Sequence, residues 1–295
     1  MTRLPGWLRQ DIPGPSSLRT KLAVTRSGLH TVCVKALCPN INDCFAQGRA
    51  AFMILGDRCT RNCKFCNLNK NGDSSVLNDF NRSRTIPDNE PARIVEAVRL
   101  LGLRYVVITS VTRDDLSDGG AFQFAAVIAL LRGSDPGIRV EVLVPDFRGS
   151  QESAHKVILS RPFVLGHNLE TVKRLYAAIR PEADYGRSLG LLKMVKEQDK
   201  NMLTKSSLML GLGEEKNEVF SALRDLRGVG CDILTLGQYL PPTPGHYPVK
   251  EFVPPEQFRE YADIAVSLGF KKVLSGPKVR SSYGAEELIE EMNYA

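Results

Sequence analysis

Residues 57–70 read "DRCTRNCKFCNLNK", with Cys59, Cys63 and Cys66 separated by three and then two residues. Three sulfurs at this spacing can converge on one point. Thiolates are soft donors that take zinc, copper(I) or iron–sulfur clusters, and a structural zinc would draw a fourth ligand from a Cys or His close by. None follows in "NLNKNGDSSVLNDF". A cubane cluster held by three cysteines keeps one of its four irons open for another molecule, and this reading is favoured over zinc or bare thiols. Arg58, Arg61 and Lys64 surround the thiols with positive charge, which should lower their pKa values and offset an anionic cluster.

A second set lies upstream, in "LHTVCVKALCPNINDCFAQG", where four and five residues separate Cys33, Cys38 and Cys44. On spacing alone, a second metal site and structural thiols both stay open. Six of the seven cysteines fall within 34 residues, too dense for scattered core thiols. The odd count in an enzyme-sized chain argues against a disulfide framework. Cys231 opens an apolar run and is expected to be buried and inert.

These residues need a scaffold. From residue 51 onward "AAFMILG", "RYVVITS", "IRVEVLVPD", "PFVLGHN", "KSSLMLGLG", "CDILTLGQY" and "KKVLSG" read as strands. Helical stretches alternate with them: "EPARIVEAVRLLG", "GAFQFAAVIALLRG", "QESAHKVILS", "LETVKRLYAAI", "RSLGLLKMVKEQ", "EKNEVFSALRDLRGVG" and "PPEQFREYADIAVSLG". In the first of these, Ile94, Val95, Val98 and Leu101 recur at helical spacing, whereas the strands are continuously apolar, as in a parallel sheet covered on both faces. The expected fold class is α/β: a partial parallel β/α barrel of about six strands, with a doubly wound sheet as competitor. The expected division is a basic N-terminal arm (1–50), the barrel (51–270) and a C-terminal extension (271–295).

In either architecture the site forms where strands end, and the distinctive residues follow strands. "TSVTRDDLSDGG" carries Ser110 and Arg113, with Asp114 and Asp115 either fixing the loop or capping the next helix. Asn168 and Glu170 follow "PFVLGH", Arg187 lies in "DYGRSLG", and Gln238 and Tyr239 follow "DILTLG". Arg187 could meet a carboxylate bidentately or be a surface charge. "GLGEE" (211–215) lacks the full glycine fingerprint of a phosphate loop and reads as a strand-to-helix turn that exposes backbone to a cofactor. His246, a lone loop histidine, is expected to be structural.

Hydrophobic residues make up 43% of the 295 and charged residues 24%, with no apolar run near membrane-spanning length. "MTRLPGWLRQDIPGPSSLRTKL" has charges and prolines where a signal peptide needs an apolar stretch, so a cytoplasmic protein is expected. Of the net +6, +5 lies in the first fifty residues, where Arg3, Arg9, Arg19, Lys21, Arg26, Lys35 and Arg49 face only Asp11 and Asp43. Such an arm either attracts an acidic partner or is simply solvated. A zinc-stabilised nucleic-acid module is disfavoured, because paired Cys-x-x-Cys knuckles are absent.

The three-cysteine loop, with Phe65 just before the last cysteine, resembles the radical S-adenosylmethionine superfamily. "HTVCVKALCPNINDC", "FMILGDRCTRNCKFC", "TSVTRDDLSDGG", "HNLETV", "TKSSLMLGLGE", "DILTLGQYL" and "SGPKVRSSY" together resemble the lipoyl synthase family over almost the whole chain. The resemblance implies a sulfurtransferase with two [4Fe-4S] clusters. One, on Cys59, Cys63 and Cys66, would chelate S-adenosylmethionine through its open iron. The auxiliary one, on Cys33, Cys38, Cys44 and Ser281, in preference to Ser282, would be the sacrificial sulfur donor. Two S-adenosylmethionine molecules would serve insertion of sulfur at C6 and C8 of an octanoyl chain on a carrier lysine. Implied partners are octanoylated lipoyl domains of 2-oxoacid dehydrogenase E2 subunits or the glycine cleavage H protein, an electron donor such as ferredoxin or flavodoxin, and an iron–sulfur carrier for repair. Neither nucleic acid nor membrane is implied.

By the same resemblance Ser110 and Arg113 lie beside the methionine end of the cofactor, and Asn168 and Glu170 hold its ribose hydroxyls or amino group. Arg187 would meet its carboxylate, with Gln238 and Tyr239 near adenine. The segment "NKNGDSSVLNDFNRSRTIPDNEP" and "PPTPGHYPV" depart from the family pattern, which touches docking of the carrier more than the chemistry.

Overall fold

The structure is a computed structural model that describes residues 4–9, 14–70 and 89–290. Arg3 and Asp11 of the basic arm, residues 71–88 of the divergent segment and residues 291–295 of the extension lie outside the described residues. The chain forms two compact units, one of Ile12–Asn62 with Cys66–Leu165, the other of Met1–Asp11 with Cys63–Phe65 and Gly166–Ala295.

The first unit opens with structure where an irregular arm was equally in keeping with the sequence: α1 (Pro15–Arg26), β1 (His30–Thr31), α2 (Val32–Lys35) and α3 (Ile41–Ala46). Pro15 suits the first turn of α1, where its missing N–H has no intrahelical partner to lose. The Thr31 side chain caps α2 by accepting the Val34 N–H at 3.4 Å. β1 then runs antiparallel to β2 (Ala51–Ile54), with His30 opposite Met53. A two-residue parallel pair, β3 (Arg58–Cys59) and β4 (Asn69–Lys70), brackets the cysteine loop.

Next come α4 (Glu90–Leu101), β5 (Tyr105–Ser110), α5 (Ala121–Ser134), β6 (Arg139–Leu143), α6 (Gln151–Leu159) and β7 (Val164–Gly166). β2, β5 and β6 pair in parallel. Pro91 in the first turn starts α4 and Gly102, at φ 67°, stops it in the left-handed region that favours glycine. Its Ile94, Ala97 and Val98 face inward onto a core that includes Ile54, Ile108 and Phe124.

The second unit continues with α7 (Tyr176–Ile179), α8 (Tyr185–Gln198), β8 (Leu203–Leu210), α9 (Lys216–Gly228), β9 (Ile233–Gln238), α10 (Pro255–Ser267), β10 (Lys272–Gly276) and α11 (Ala285–Glu290). β8, β9 and β10 are parallel and adjacent. A reciprocal capping box of Glu215 and Glu218 starts α9, whose Val219, Leu223 and Leu226 join Leu234, Leu236 and Phe258 in the core. Neither unit closes its strands into a ring.

One expected helix is largely missing. "LETVKRLYAAI" yields only a 3-10 turn at Lys173–Leu175 and the four residues of α7. The backbone ahead of it is already committed: the Glu170 N–H donates to the Ser207 carbonyl at 2.9 Å, and the Glu170 carbonyl accepts from the Met209 N–H at 2.8 Å. The Tyr176 hydroxyl takes the Leu169 carbonyl at 2.9 Å, so these groups cannot serve a first helical turn. Among the described residues no helix is long and apolar enough to cross a membrane.

Candidate active site

In the first unit, β2 ends in two left-handed residues, Leu55 (φ 70°) and Gly56 (φ 82°). A leucine there carries strain of about 1–2 kcal/mol, so its surroundings must hold it. The buried Glu90 carboxylate accepts the Leu55 N–H at 3.1 Å, and Arg113 Nη1 donates to the Leu55 carbonyl at 3.3 Å. Gly120, at φ 89° in the left-handed region that favours glycine, lies against Leu55, whose Cδ1 a Cβ there would meet at 2.2 Å. The turn so fixed launches the cysteine loop.

Cys59 is buried, and its sulfur accepts the Arg61 backbone N–H at 3.4 Å. Arg61 does not bring its charge to the thiols as the sequence suggested. Its guanidinium is bidentate on Asp114, at 2.8 and 2.9 Å, and reaches Asp146 at 2.5 Å. Burial opposes that charge, but the two carboxylates hold the guanidinium pKa above its ordinary value. Arg113 is likewise bidentate on Asp115, at 2.8 and 2.9 Å. Asp114 and Asp115 therefore fix the loop, and the helix cap belongs to Asp118, which accepts the N–H groups of Gly120 and Phe122 at 2.9 and 2.8 Å. Ser110, the last residue of β5, keeps a buried Oγ with no hydrogen-bond partner. An orphaned hydroxyl beside this loop fits a ligand's polar atom.

Cys33 is buried on α2, with Cys38 and Cys44 half-buried downstream, and the Cys38 N–H donates to the Cys33 carbonyl at 3.0 Å. Burial, with Cys38 adding, pushes the Cys33 thiol up to about 11. Burial followed by Cys33, Cys38 and Asp43 pushes Cys44 up to about 12. Thiols that raise one another's pKa are neighbours. Lys35 ties α2 to the first cysteine loop on both sides: its Nζ pairs with Asp57 at 2.6 Å, and its carbonyl accepts Asn67 Nδ2 at 3.0 Å. Among the described residues no three Cys, His, Asp or Glu form a set for a single metal ion. Cys33 lies on α2, Cys44 on α3 and Cys38 in the turn between them.

The second unit receives Cys63–Phe65. The Lys64 N–H donates to the Ile179 carbonyl at 2.8 Å, the Lys64 carbonyl accepts the Tyr247 N–H at 3.0 Å, and Phe65 packs against that unit's core. Further along, Glu170 adopts φ 66°, again strained for a side-chain-bearing residue and clamped by β8. Asn168 Nδ2 donates to Glu170 Oε1 at 3.0 Å, and Asn168 Oδ1 accepts from Ser281 Oγ at 3.1 Å. Burial pushes the Glu170 carboxyl pKa up, while Arg180 and the Asn168 hydrogen bond pull it back. Arg180, which the sequence did not single out, donates to the carbonyls of Asn168 and Leu169 at 3.0 and 2.9 Å. Its setting, "AIRPE", carries no motif that could have announced it.

Three further candidates are engaged with the protein's own groups. Gln238 is fully buried: its Nε2 contacts the carbonyls of Leu210, Tyr239 and Glu251, each at 3.0 Å, and its Oε1 accepts the Val253 N–H at 2.8 Å. The Tyr239 hydroxyl donates to the Tyr247 carbonyl at 2.7 Å. Arg187 caps on Asp184 through its N–H and donates from Nη2 to the Glu182 carbonyl at 3.0 Å. The "GLGEE" turn forms but does not present its amides outward as expected, since the Glu214 carboxylate takes the N–H groups of Gly211 and Leu212 at 2.6 and 2.9 Å. His246 Nδ1 meets Thr243 Oγ1 at 2.9 Å, and Cys231 is fully buried with its thiol pushed up to about 12 by burial, both in structural roles.

The Radical SAM superfamily matches residues 53–226. The lipoyl synthase of Caldicellulosiruptor saccharolyticus is 50% identical over 287 residues, covering 97% of each chain. That of Geobacter metallireducens is 48% identical, again over 97% of each. Two solved structures are similar in fold alone. Streptococcus suis SuiB bound to S-adenosylmethionine has a TM-score of 0.56 at 12% identity, covering 80% of this chain and 54% of that one. HydG, a maturase of the [FeFe]-hydrogenase, has 0.53 at 13%, covering 97% and 69%. Their likeness agrees with the mixed α/β, mostly parallel architecture of the two units. The chain is an enzyme of the radical SAM superfamily and belongs, within it, to the lipoyl synthase family.

Proposed function

We propose that this enzyme inserts two sulfur atoms at C6 and C8 of an octanoyl chain carried on a protein lysine, consuming two S-adenosylmethionine molecules and an auxiliary [4Fe-4S] cluster. Support comes from three adjoining thiols, Cys33, Cys38 and Cys44, built into the same unit as Cys59 and Cys66 and tied to that loop through Lys35. When bound, the first cluster supplies the electron that cleaves the sulfonium to a 5′-deoxyadenosyl radical, and the auxiliary cluster supplies sulfide.

The chain's own residues position these groups. Cys59, Cys63 and Cys66 would hold the first cluster, and Cys33, Cys38, Cys44 and Ser281 the auxiliary one. A serine oxygen is a harder, weaker donor to iron than thiolate, which suits a cluster that is to be dismantled. Ser110 would offer its unpartnered hydroxyl to the methionine end of the cofactor, and Glu170 its carboxylate to an ammonium or ribose hydroxyls. Arg113 would join Ser110 at that end and Asn168 would join Glu170, with Arg187 at the carboxylate and Gln238 and Tyr239 near the adenine. Residues 1–50, 51–270 and 271–295 would act as arm, catalytic body and C-terminal extension.

A cytoplasmic setting, the E2 or H-protein carrier, a ferredoxin or flavodoxin donor and a repair carrier complete the proposal. Arg19, Lys21 and Arg26 are exposed on α1 and suit an acidic carrier. The test is iron and acid-labile sulfide per chain after anaerobic reconstitution, beside a Cys33→Ala, Cys38→Ala, Cys44→Ala triple variant. About eight irons falling to about four is the expected result. About four in both chains, or zinc without sulfide, would overturn it.

A further inference from the structure

The C-terminal loop that carries Ser281 is seated in the second unit by contacts that no ligand role explains. Beyond β10 the chain turns sharply: the Val279 N–H donates to the Gly276 carbonyl at 3.0 Å, and the Tyr283 N–H to the Arg280 carbonyl at 3.0 Å. The loop presses on the end of β9. A Cβ on Gly237 would lie 1.9 Å from the Val279 carbonyl oxygen and 2.8 Å from its carbon, so only glycine leaves room for this backbone. From the other side Ser281 Oγ donates to Asn168 Oδ1 at 3.1 Å, across 113 residues of sequence.

Asn168 is itself held by its side-chain amide and its backbone carbonyl. Its Nδ2 is spent on Glu170 and its carbonyl on Arg180, and Arg180 also bonds the Tyr176 hydroxyl at 3.1 Å and lies 5.2 Å from that ring's centre. The amide oxygen facing Ser281 is thus preset in identity and direction. An amide oxygen accepts a proton but does not remove one. It orients the serine O–H toward itself and leaves the Oγ lone pairs directed elsewhere.

We propose that Asn168 is the positioning residue for Ser281: with Gly237 giving the loop its seat, Asn168 fixes the direction of the serine hydroxyl and leaves its lone pairs turned away from the amide. This rests on the reading of Ser281 as a cluster ligand, and it changes the role of Asn168 from cofactor contact to internal anchor.

The test is hydrogen exchange of the Val279 and Tyr283 amides in the full chain before reconstitution, in Asn168→Ala, Ser281→Ala and the double variant, with Ser281→Thr retaining the hydroxyl. Each single loss should speed exchange roughly fivefold, the effect of one net hydrogen bond. The double variant should show no more than either single, instead of the roughly twenty-fivefold product that independent sites would give. Ser281→Thr should exchange as the parent does. Gly237→Ala should release both amides without touching Asn168. Unchanged exchange in Asn168→Ala, or multiplicative effects, overturns the anchor. If the coupling holds but the Mössbauer spectrum of the reconstituted auxiliary cluster is the same in Ser281→Ala as in the parent, the anchor stands and the ligand reading falls.

Discussion

The two cysteine sets are held in opposite ways. Cys33, Cys38 and Cys44 come from twelve consecutive residues of one unit, Cys33 and Cys44 on two short helices and Cys38 in the turn between them, with a local cap at Thr31 and with Lys35 tied to Asp57 and Asn67. Cys59, Cys63 and Cys66 lie closer together in sequence, yet their loop depends on partners far along the chain. Leu55 is held by Glu90 and Arg113, Arg61 by Asp114 and Asp146, and Lys64 by Ile179 and Tyr247. A site built from local bonds can rearrange without disturbing the rest of the fold. One built from long-range bonds is preorganised by the whole fold and yields only when its supports do.

Removing the thiols breaks the comparison most sharply. Cys59→Ala, Cys63→Ala or Cys66→Ala should abolish 5′-deoxyadenosine formation, read by chromatography. Cys33→Ala, Cys38→Ala or Cys44→Ala should leave that cleavage measurable and stop sulfur insertion, read by mass spectrometry of the carrier; lipoyl product from any of the three would end the sacrificial role.

Arg61→Ala tests the long-range support, because it strands two buried carboxylates. A loss of about 3–5 kcal/mol in denaturant unfolding is expected, as for a buried ion pair deprived of one partner. A variant as stable as the parent would show that Asp114 and Asp146 do not need their cation.

Asp232, paired with Lys196 and Lys271, provides a control outside both cysteine sets. Burial raises its pKa, but hydrogen bonds from Lys196, Lys271 and the Thr204 N–H outweigh that and hold it below the usual carboxylate range. A depressed folded pKa stabilises above the unfolded value and is lost as pH falls through the folded one. The stability gap between parent and Asp232→Asn should therefore be full at neutral pH and shrink below about pH 4. A gap that grows on acidification would reverse the sign of this assignment.

Thr31→Ala probes the local architecture with the smallest effect. Loss of the α2 cap should cost about 1 kcal/mol. It should speed loss of auxiliary iron to a chelator while leaving deoxyadenosine formation intact. An equal effect on both activities would mean that the two sets are not separately supported.

Much of this was legible in the sequence because it depends on short-range pattern. Cysteine spacing and the alternation of apolar strands with amphipathic helices are local, and apart from the helix expected at 169–179 the alternation reappears in the fold. Cys231 as a buried thiol and Asp115 as a loop brace were readable for the same reason. Tertiary structure alone decided where charge and backbone polarity are spent. Arg61 reads as a cation beside thiols until Asp114 and Asp146, 53 and 85 residues away, claim it. The helix expected at 169–179 fails because β8 has taken the Glu170 backbone, and the "GLGEE" amides turn inward because Glu214 folds back on them. Ser281 and Asn168 meet through a bond that no local propensity encodes. Periodicity and spacing report what a segment can do with its own neighbours, whereas a hydrogen bond's partner is chosen among all groups the fold brings within about 3 Å, and that choice exists only once the chain has folded.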